Sequence, residues 1–230
     1  MFNADTLSSR ALAGIIDHTF LKPFGTPADI EKLCSEAVQY GFAMVAINPA
    51  ETERCAALLK GTSVRVGAAI GFPLGQMTSA AKAFEIRDAI AKGATEIDMV
   101  INIRDLQAGR DCAVFAELDD LGRVCRDAGV ISKVILETCY LSDDEKKRVC
   151  AWAVEAKLDF VKTSTGFGTA GATVADVQLM RAAVGPVMGV KAAGGVRDLE
   201  SALAMIRAGA TRIGTSSGIA LVEALKGLGR

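Results

Sequence analysis

Eight times along the chain a short apolar run gives way to a segment with helical periodicity, and this alternation limits the possible folds more than any single residue does. The runs are Ile15 to Leu21, Phe42 to Ile47, Val64 to Ile70, Glu96 to Ile101, Lys133 to Leu136, Leu158 to Lys162, Val187 to Lys191 and Arg212 to Gly214. Helical patterns fill the gaps. Pro27 to Tyr40 has Thr26 as N-cap, Pro27 at its first position and Gly41 past its end, the expected chemistry at each terminus. Further helices are predicted after Asn48-Pro49 through Leu59, over Ser79 to Ala91, Arg110 to Ala128, Asp143 to Ala156, Val174 to Ala183 and Leu199 to Ala208, with a last one starting near Ser216-Ser217. A short helix over Leu7 to Ile16 precedes the first strand. The strands are apolar throughout instead of alternating, as in a parallel sheet covered on both faces. The pattern predicts a (β/α)8 TIM barrel with a short N-terminal helix, one domain over residues 1–230. An open doubly wound sheet would carry G-x-G-x-x-G after a strand, and the glycines at 166, 168 and 171 have the wrong spacing.

Composition removes several function classes. A formal net charge of −1 gives no electrostatic footprint for nucleic acid or an anionic membrane. No apolar run reaches the roughly 18 residues of a membrane span, and Met1-Phe2-Asn3-Ala4-Asp5 has no secretory character. The six cysteines form no C-x-x-C pair and read as reduced packing residues, so a cytoplasmic location is expected. His18 is the only histidine. That disfavours a His-rich metal site and a histidine-based hydrolase triad, and no metal or cofactor is expected.

Barrel enzymes place their chemistry at the C-terminal ends of the strands. Two of those ends carry lysines: Phe160-Val161-Lys162 runs into Thr163-Ser164-Thr165-Gly166, and Gly189-Val190-Lys191 runs into Gly194-Gly195. Neighbouring strands lie about 4.8 Å apart. At roughly 5 Å and an effective dielectric of about 20, two ammonium groups repel by about 3 kcal/mol, or about two pK units. Lys162 would fall towards pKa ~8, and desolvation would add to the fall. A neutral amine in a dry pocket is a Schiff-base nucleophile. Asp98 faces inward on the fourth strand, where a carboxylate must be paired; with Lys191 it could carry protons during dehydration and at the enamine carbon. Ala193-Gly194-Gly195-Val196 after strand seven and Gly214-Thr215-Ser216-Ser217-Gly218 after strand eight sit where this fold binds phosphate.

These residues resemble the deoxyribose-phosphate aldolases. The likeness runs through Ile-Asp-His-Thr at 16 to 19, Glu-Ile-Asp-Met-Val at 96 to 100, Lys-Thr-Ser-Thr-Gly-Phe at 162 to 167, Val-Lys-Ala-Ala-Gly-Gly-Val-Arg at 190 to 197 and Gly-Thr-Ser-Ser at 214 to 217. The resemblance implies a class I lyase of deoxyribonucleotide catabolism, with a phosphorylated sugar aldehyde as substrate and a homo-oligomer allowed. It implies Lys162 as the Schiff-base lysine, Lys191 as the residue that lowers its pKa and Asp98 as proton-relay partner. It also implies Asp17 and Thr19 near a sugar hydroxyl, and Gly166, Gly194, Gly195, Ser216 and Ser217 as phosphate contacts. Three positions depart from the family pattern. Ala193 replaces a common serine, Phe167 replaces a phosphate-contacting lysine of some members, and the chain ends Gly227-Leu228-Gly229-Arg230 without the terminal tyrosine that some members use. Another phosphate-binding barrel enzyme, or a sugar-phosphate sensor without activity, are the competing readings. The first leaves both lysines unexplained, and the second leaves Lys162, Lys191 and Asp98 without a purpose.

Overall fold

A computed structural model describes residues 3–229. Eight parallel strands close into a barrel in sequence order: β1 Ile16–Phe20, β2 Met44–Ile47, β3 Arg65–Ile70, β4 Glu96–Val100, β5 Ile131–Ile135, β6 Phe160–Lys162, β7 Gly189–Ala193 and β8 Arg212–Thr215. The helices are α1 Ser9–Ala13, α2 Pro27–Tyr40, α3 Thr52–Leu58, α4 Ser79–Ala91, α5 Ile103–Gln107, α6 Asp111–Asp127, α7 Asp143–Glu155, α8 Val174–Val184, α9 Leu199–Arg207 and α10 Gly218–Gly227. The expected TIM barrel is therefore present. Among the described residues no helix is long and apolar enough to cross a membrane.

The local sequence explains the helix starts. Ser142 and Glu145 form a reciprocal capping box at the start of α7, and Thr173 and Asp198 accept from the third residue of α8 and α9. Two differences from the sequence reading have physical causes. The helix α5 was not expected; Asn102 caps it by accepting from the Asp105 N–H, a signal hidden because only five residues follow. Strand β7 does not end at Lys191 but continues through Ala193, because β8 pairs with all three residues from Lys191 to Ala193.

The apolar core is a ring between barrel and helices. Val45, Ile47, Val66, Ala68, Ile70, Ile97, Met99, Val134, Val161, Val190 and Ile213 all belong to it. These are the outward residues of the strands, meeting the helices' apolar stripes. Residues of the other parity point into the barrel, and there the usual filling of branched apolar side chains is replaced by Asp17, Glu96, Asp98, Lys133, Lys162, Lys191 and Arg212, all buried. Gly214 makes room for this filling. A Cβ there would stand 2.9 Å from Ala193 Cβ and 3.1 Å from Lys191 Cε.

Candidate active site

Inside the barrel the charges close into a ring. Arg212 pairs with Asp17 through Nη1 and Oδ1, and Asp17 Oδ2 lies 2.5 Å from Lys191 Nζ. Lys191 Nζ donates to Asp98 Oδ2 at 2.6 Å, and Asp98 Oδ1 accepts from Lys133 Nζ at 2.8 Å. Lys133 pairs with Glu96 Oε2, and Glu96 Oε1 accepts from Arg212 Nη2 at 2.9 Å, which closes the circuit. Three cations and three carboxylates alternate, so every buried charge in the circuit has opposite charges on both sides. Lys162 stands outside this balance. Its Nζ donates to Asp98 Oδ2 at 2.7 Å, the same oxygen that Lys191 holds. The barrel thus contains one more basic group than its carboxylates can neutralise.

The surplus falls on Lys162. Burial pushes its pKa down, Asp98 pulls it back up, and Lys191 and Lys133 lower it again, leaving it at about 8. The sequence reading gave repulsion by Lys191 the leading part; burial leads instead, and attraction to Asp98 opposes the fall more strongly than Lys191 assists it. At pH 7 roughly one tenth of the amine is free, about 300-fold more than for an ordinary lysine. The circuit members behave in the opposite way. Burial opposes ionisation of Asp98, but Lys133, Lys162 and Lys191 outweigh it and hold the carboxyl well below its usual range. Asp17 is held down likewise against its burial, mainly by Lys191 and Arg212. Burial is also overcome at Lys133, where Asp98 and Glu96 push the ammonium pKa above its ordinary value.

Register explains the meeting of the two lysines. Lys162 and Lys191 are paired across β6 and β7. Since both nitrogens bind one carboxylate oxygen, no more than the sum of those two bonds separates them. Both line a cavity of about 280 Å³ at the C-terminal end of the barrel. Thr19, Gly166, Gly194, Gly195 and Ser216 also line it, together with Thr165, Phe167, Lys22 and Arg197. Asp17, expected beside a sugar hydroxyl, is fully buried beneath the cavity and reaches it only through Lys191. Ser217 is not on the wall; its N–H donates to the Thr215 hydroxyl at 2.9 Å. His18 faces away from the barrel axis, binds Glu36 at 2.9 Å and packs against Phe42.

The cavity rim is tied together by hydroxyls and close backbone contacts. Thr215 donates to the Val196 carbonyl at 2.6 Å, joining the turns after β7 and β8. Gly194 and Gly195 have φ of 86° and 80°, a conformation that a side chain rarely adopts. Gly171 touches the Gly194 backbone, where a Cβ would come within 2.2 Å of the carbonyl oxygen. The turn after β8 is followed directly by α10, so the N–H groups of this corner can face an anion.

Sequence reasoning missed Glu96, Lys133 and Arg212. The signal was available in part, since Glu96 shares the parity of Asp98 on β4. Lys133 and Arg212 sit at the starts of their strands by the sequence reading and pass there for solvated residues.

Comparison with known proteins agrees with this geometry. Residues 12–224 match the model of the DeoC/LacD family aldolases. The chain is 70% identical over 222 residues to a deoxyribose-phosphate aldolase of Bacteroides thetaiotaomicron, covering 96% of this chain and 93% of that one. It is 55% identical over 212 residues to the corresponding enzyme of a Geobacillus species, with 92% and 95% covered. A solved deoxyribose-phosphate aldolase from Aeropyrum pernix, described as tetrameric, superposes with a TM-score of 0.90 at 35% identity, covering 97% of this chain and 95% of that one. The barrel, its charged interior and these matches together make the chain a member of the DeoC/LacD aldolase family.

Proposed function

We propose that this chain is a class I aldolase that reversibly cleaves 2-deoxy-D-ribose 5-phosphate to D-glyceraldehyde 3-phosphate and acetaldehyde through an imine on Lys162. The observation that carries the reading is the surplus amine beside a balanced ring of charges, at the floor of a cavity with a glycine-rich rim. The neutral Lys162 attacks the C1 carbonyl, and the carbinolamine loses water to give the iminium. Loss of the C3 hydroxyl proton then breaks the C2–C3 bond, and its electron pair becomes the enamine. Protonation at C2 and hydrolysis release acetaldehyde.

Asp98 and Lys191 share one hydrogen bond next to the reacting nitrogen, which suits them to give and take protons during dehydration and at C2. In this reading Thr19 meets a sugar hydroxyl from the wall, and Asp17 acts from below by holding Lys191. The phosphate lies against Gly166, Gly194, Gly195 and Ser216, with Ser217 supporting the last turn, and Lys22 and Arg197 supply positive charge at the mouth. Each step uses side chains, substrate and the water that dehydration releases and hydrolysis takes up. We also infer that the chain works as one domain in the cytoplasm, in the breakdown of deoxyribonucleotide sugars, with homo-oligomers allowed.

Reduction with borohydride in the presence of acetaldehyde is expected to leave a two-carbon unit on Lys162, read by mass spectrometry of peptides. An adduct on another lysine would contradict the assignment. A sugar-phosphate sensor would give no adduct at all.

A further inference from the structure

We propose that Glu137 is a positioning residue for phosphate binding, acting through Thr165 to fix the Thr165–Gly166–Phe167 turn on the cavity wall. The inference rests on the aldolase reading for its substrate and on separate residues for its geometry. Glu137 follows β5, is 2% exposed and has φ of 56°. Such a conformation is uncommon for a non-glycine residue; Lys157 adopts it on an exposed turn, whereas Glu137 holds it buried beside the cavity wall, where such positions gather at functional sites. The backbone on each side is pinned to the reactive strand, since Leu136 N–H donates to the Lys162 carbonyl at 2.9 Å and Thr138 N–H to the Thr163 carbonyl at 3.0 Å.

The carboxylate is held mainly by Thr165, with the Cys139 thiol a longer third donor to Oε1 at 4.0 Å. Glu137 Oε1 accepts from Thr165 N–H at 3.2 Å, and Oε2 accepts from the Thr165 hydroxyl in a short contact. The same hydroxyl accepts from Phe167 N–H at 3.0 Å. Backbone at 165 and 167 is thereby fixed from behind, with Gly166 between them on the cavity surface. Gly168 completes the support, because a Cβ there would come within 2.8 Å of Cys139 Sγ and 3.0 Å of Glu137 Cδ. Glu137 gives no hydrogen bond to Lys162, whose partner is Asp98. Its geometry is that of a brace for the wall, not of a proton carrier for the imine.

The test uses Glu137→Gln, Thr165→Val and the double variant, all close to the parent in volume. Losing a hydrogen bond to a charged group weakens binding by about tenfold. Each single variant should therefore raise KM for 2-deoxyribose 5-phosphate and the dissociation constant of inorganic phosphate, titrated calorimetrically, by about that factor. The fall in kcat should be smaller, and the loss on unphosphorylated 2-deoxyribose smaller still. The double variant should be no worse than Thr165→Val alone, because that variant already breaks the Glu137–Thr165 hydroxyl contact along with the one from Phe167 N–H. Unchanged phosphate affinity in Glu137→Gln, equal losses on both sugars, or additive effects would overturn the proposal. Failure of the parent enzyme to cleave the sugar phosphate would instead overturn the aldolase reading, and the phosphate titration would still decide the role of Glu137.

Discussion

Replacing Lys162 with methionine is expected to lower kcat/KM for 2-deoxyribose 5-phosphate by at least about ten thousand-fold, while thermal stability holds or rises. The first half follows from losing the amine on which the proposed mechanism forms its imine. The second half follows from the charge arrangement. Arg212, Asp17, Lys191, Asp98, Lys133 and Glu96 already neutralise one another in a closed circuit. Lys162 is the cation that circuit does not need, and it is buried. Methionine keeps the length of the side chain and removes a group whose desolvation is not fully offset. Calorimetry and steady-state kinetics on the same preparation check both halves. A fall in melting temperature comparable to that of a broken buried pair would show that Lys162 belongs to the structural circuit.

Asp98→Asn should behave in the opposite way on stability. Asp98 is the one carboxylate that meets three lysines, with Oδ1 on Lys133 and Oδ2 shared by Lys162 and Lys191. The amide cannot accept on both sides at once, and it leaves buried ammonium groups uncompensated. Removing one partner of a buried ion pair costs about 3–5 kcal/mol, which for a chain of this size lowers the melting temperature by about 10 °C. Activity should fall about a thousand-fold, within the range for loss of a general acid–base group. A stable but inactive Asp98→Asn protein would place Asp98 in the chemistry alone. An unstable but active one would make it only a structural counter-ion.

Much of the barrel could be read from the chain because each unit repeats the same local logic. The Thr26-Pro27 start and Gly41 stop of α2, and the capping of α7 by Ser142, are decided by neighbours in sequence. Their outcome needs no tertiary knowledge. The two lysines were legible for a related reason: each follows an apolar strand, and consecutive parallel strands are neighbours, so Lys162 and Lys191 had to meet. What could not be read was the balance of charge. Whether Lys162 is lowered by a like charge or by burial depends on how many carboxylates surround it. Those come from β1 and β4, and the cations that compete for them from β5, β7 and β8, far apart in sequence. Lys133 and Arg212 look solvated in one dimension, and only barrel closure turns them inward. The cavity wall shows the same limit. Glu137 directly follows the apolar run that ends at Leu136, but its grip on Thr165 spans 28 residues and leaves no local pattern.

The central claim is that one lysine inside a charge-balanced barrel is held partly neutral near physiological pH. Its most direct test is an NMR titration of the lysine side chains labelled at Cε, with the Lys162 resonance assigned by its loss in Lys162→Met. That resonance should titrate with an apparent pKa near 8, the free amine gaining about tenfold per pH unit below it and saturating above. A Lys162 resonance that stays in its charged position through pH 10 would contradict it.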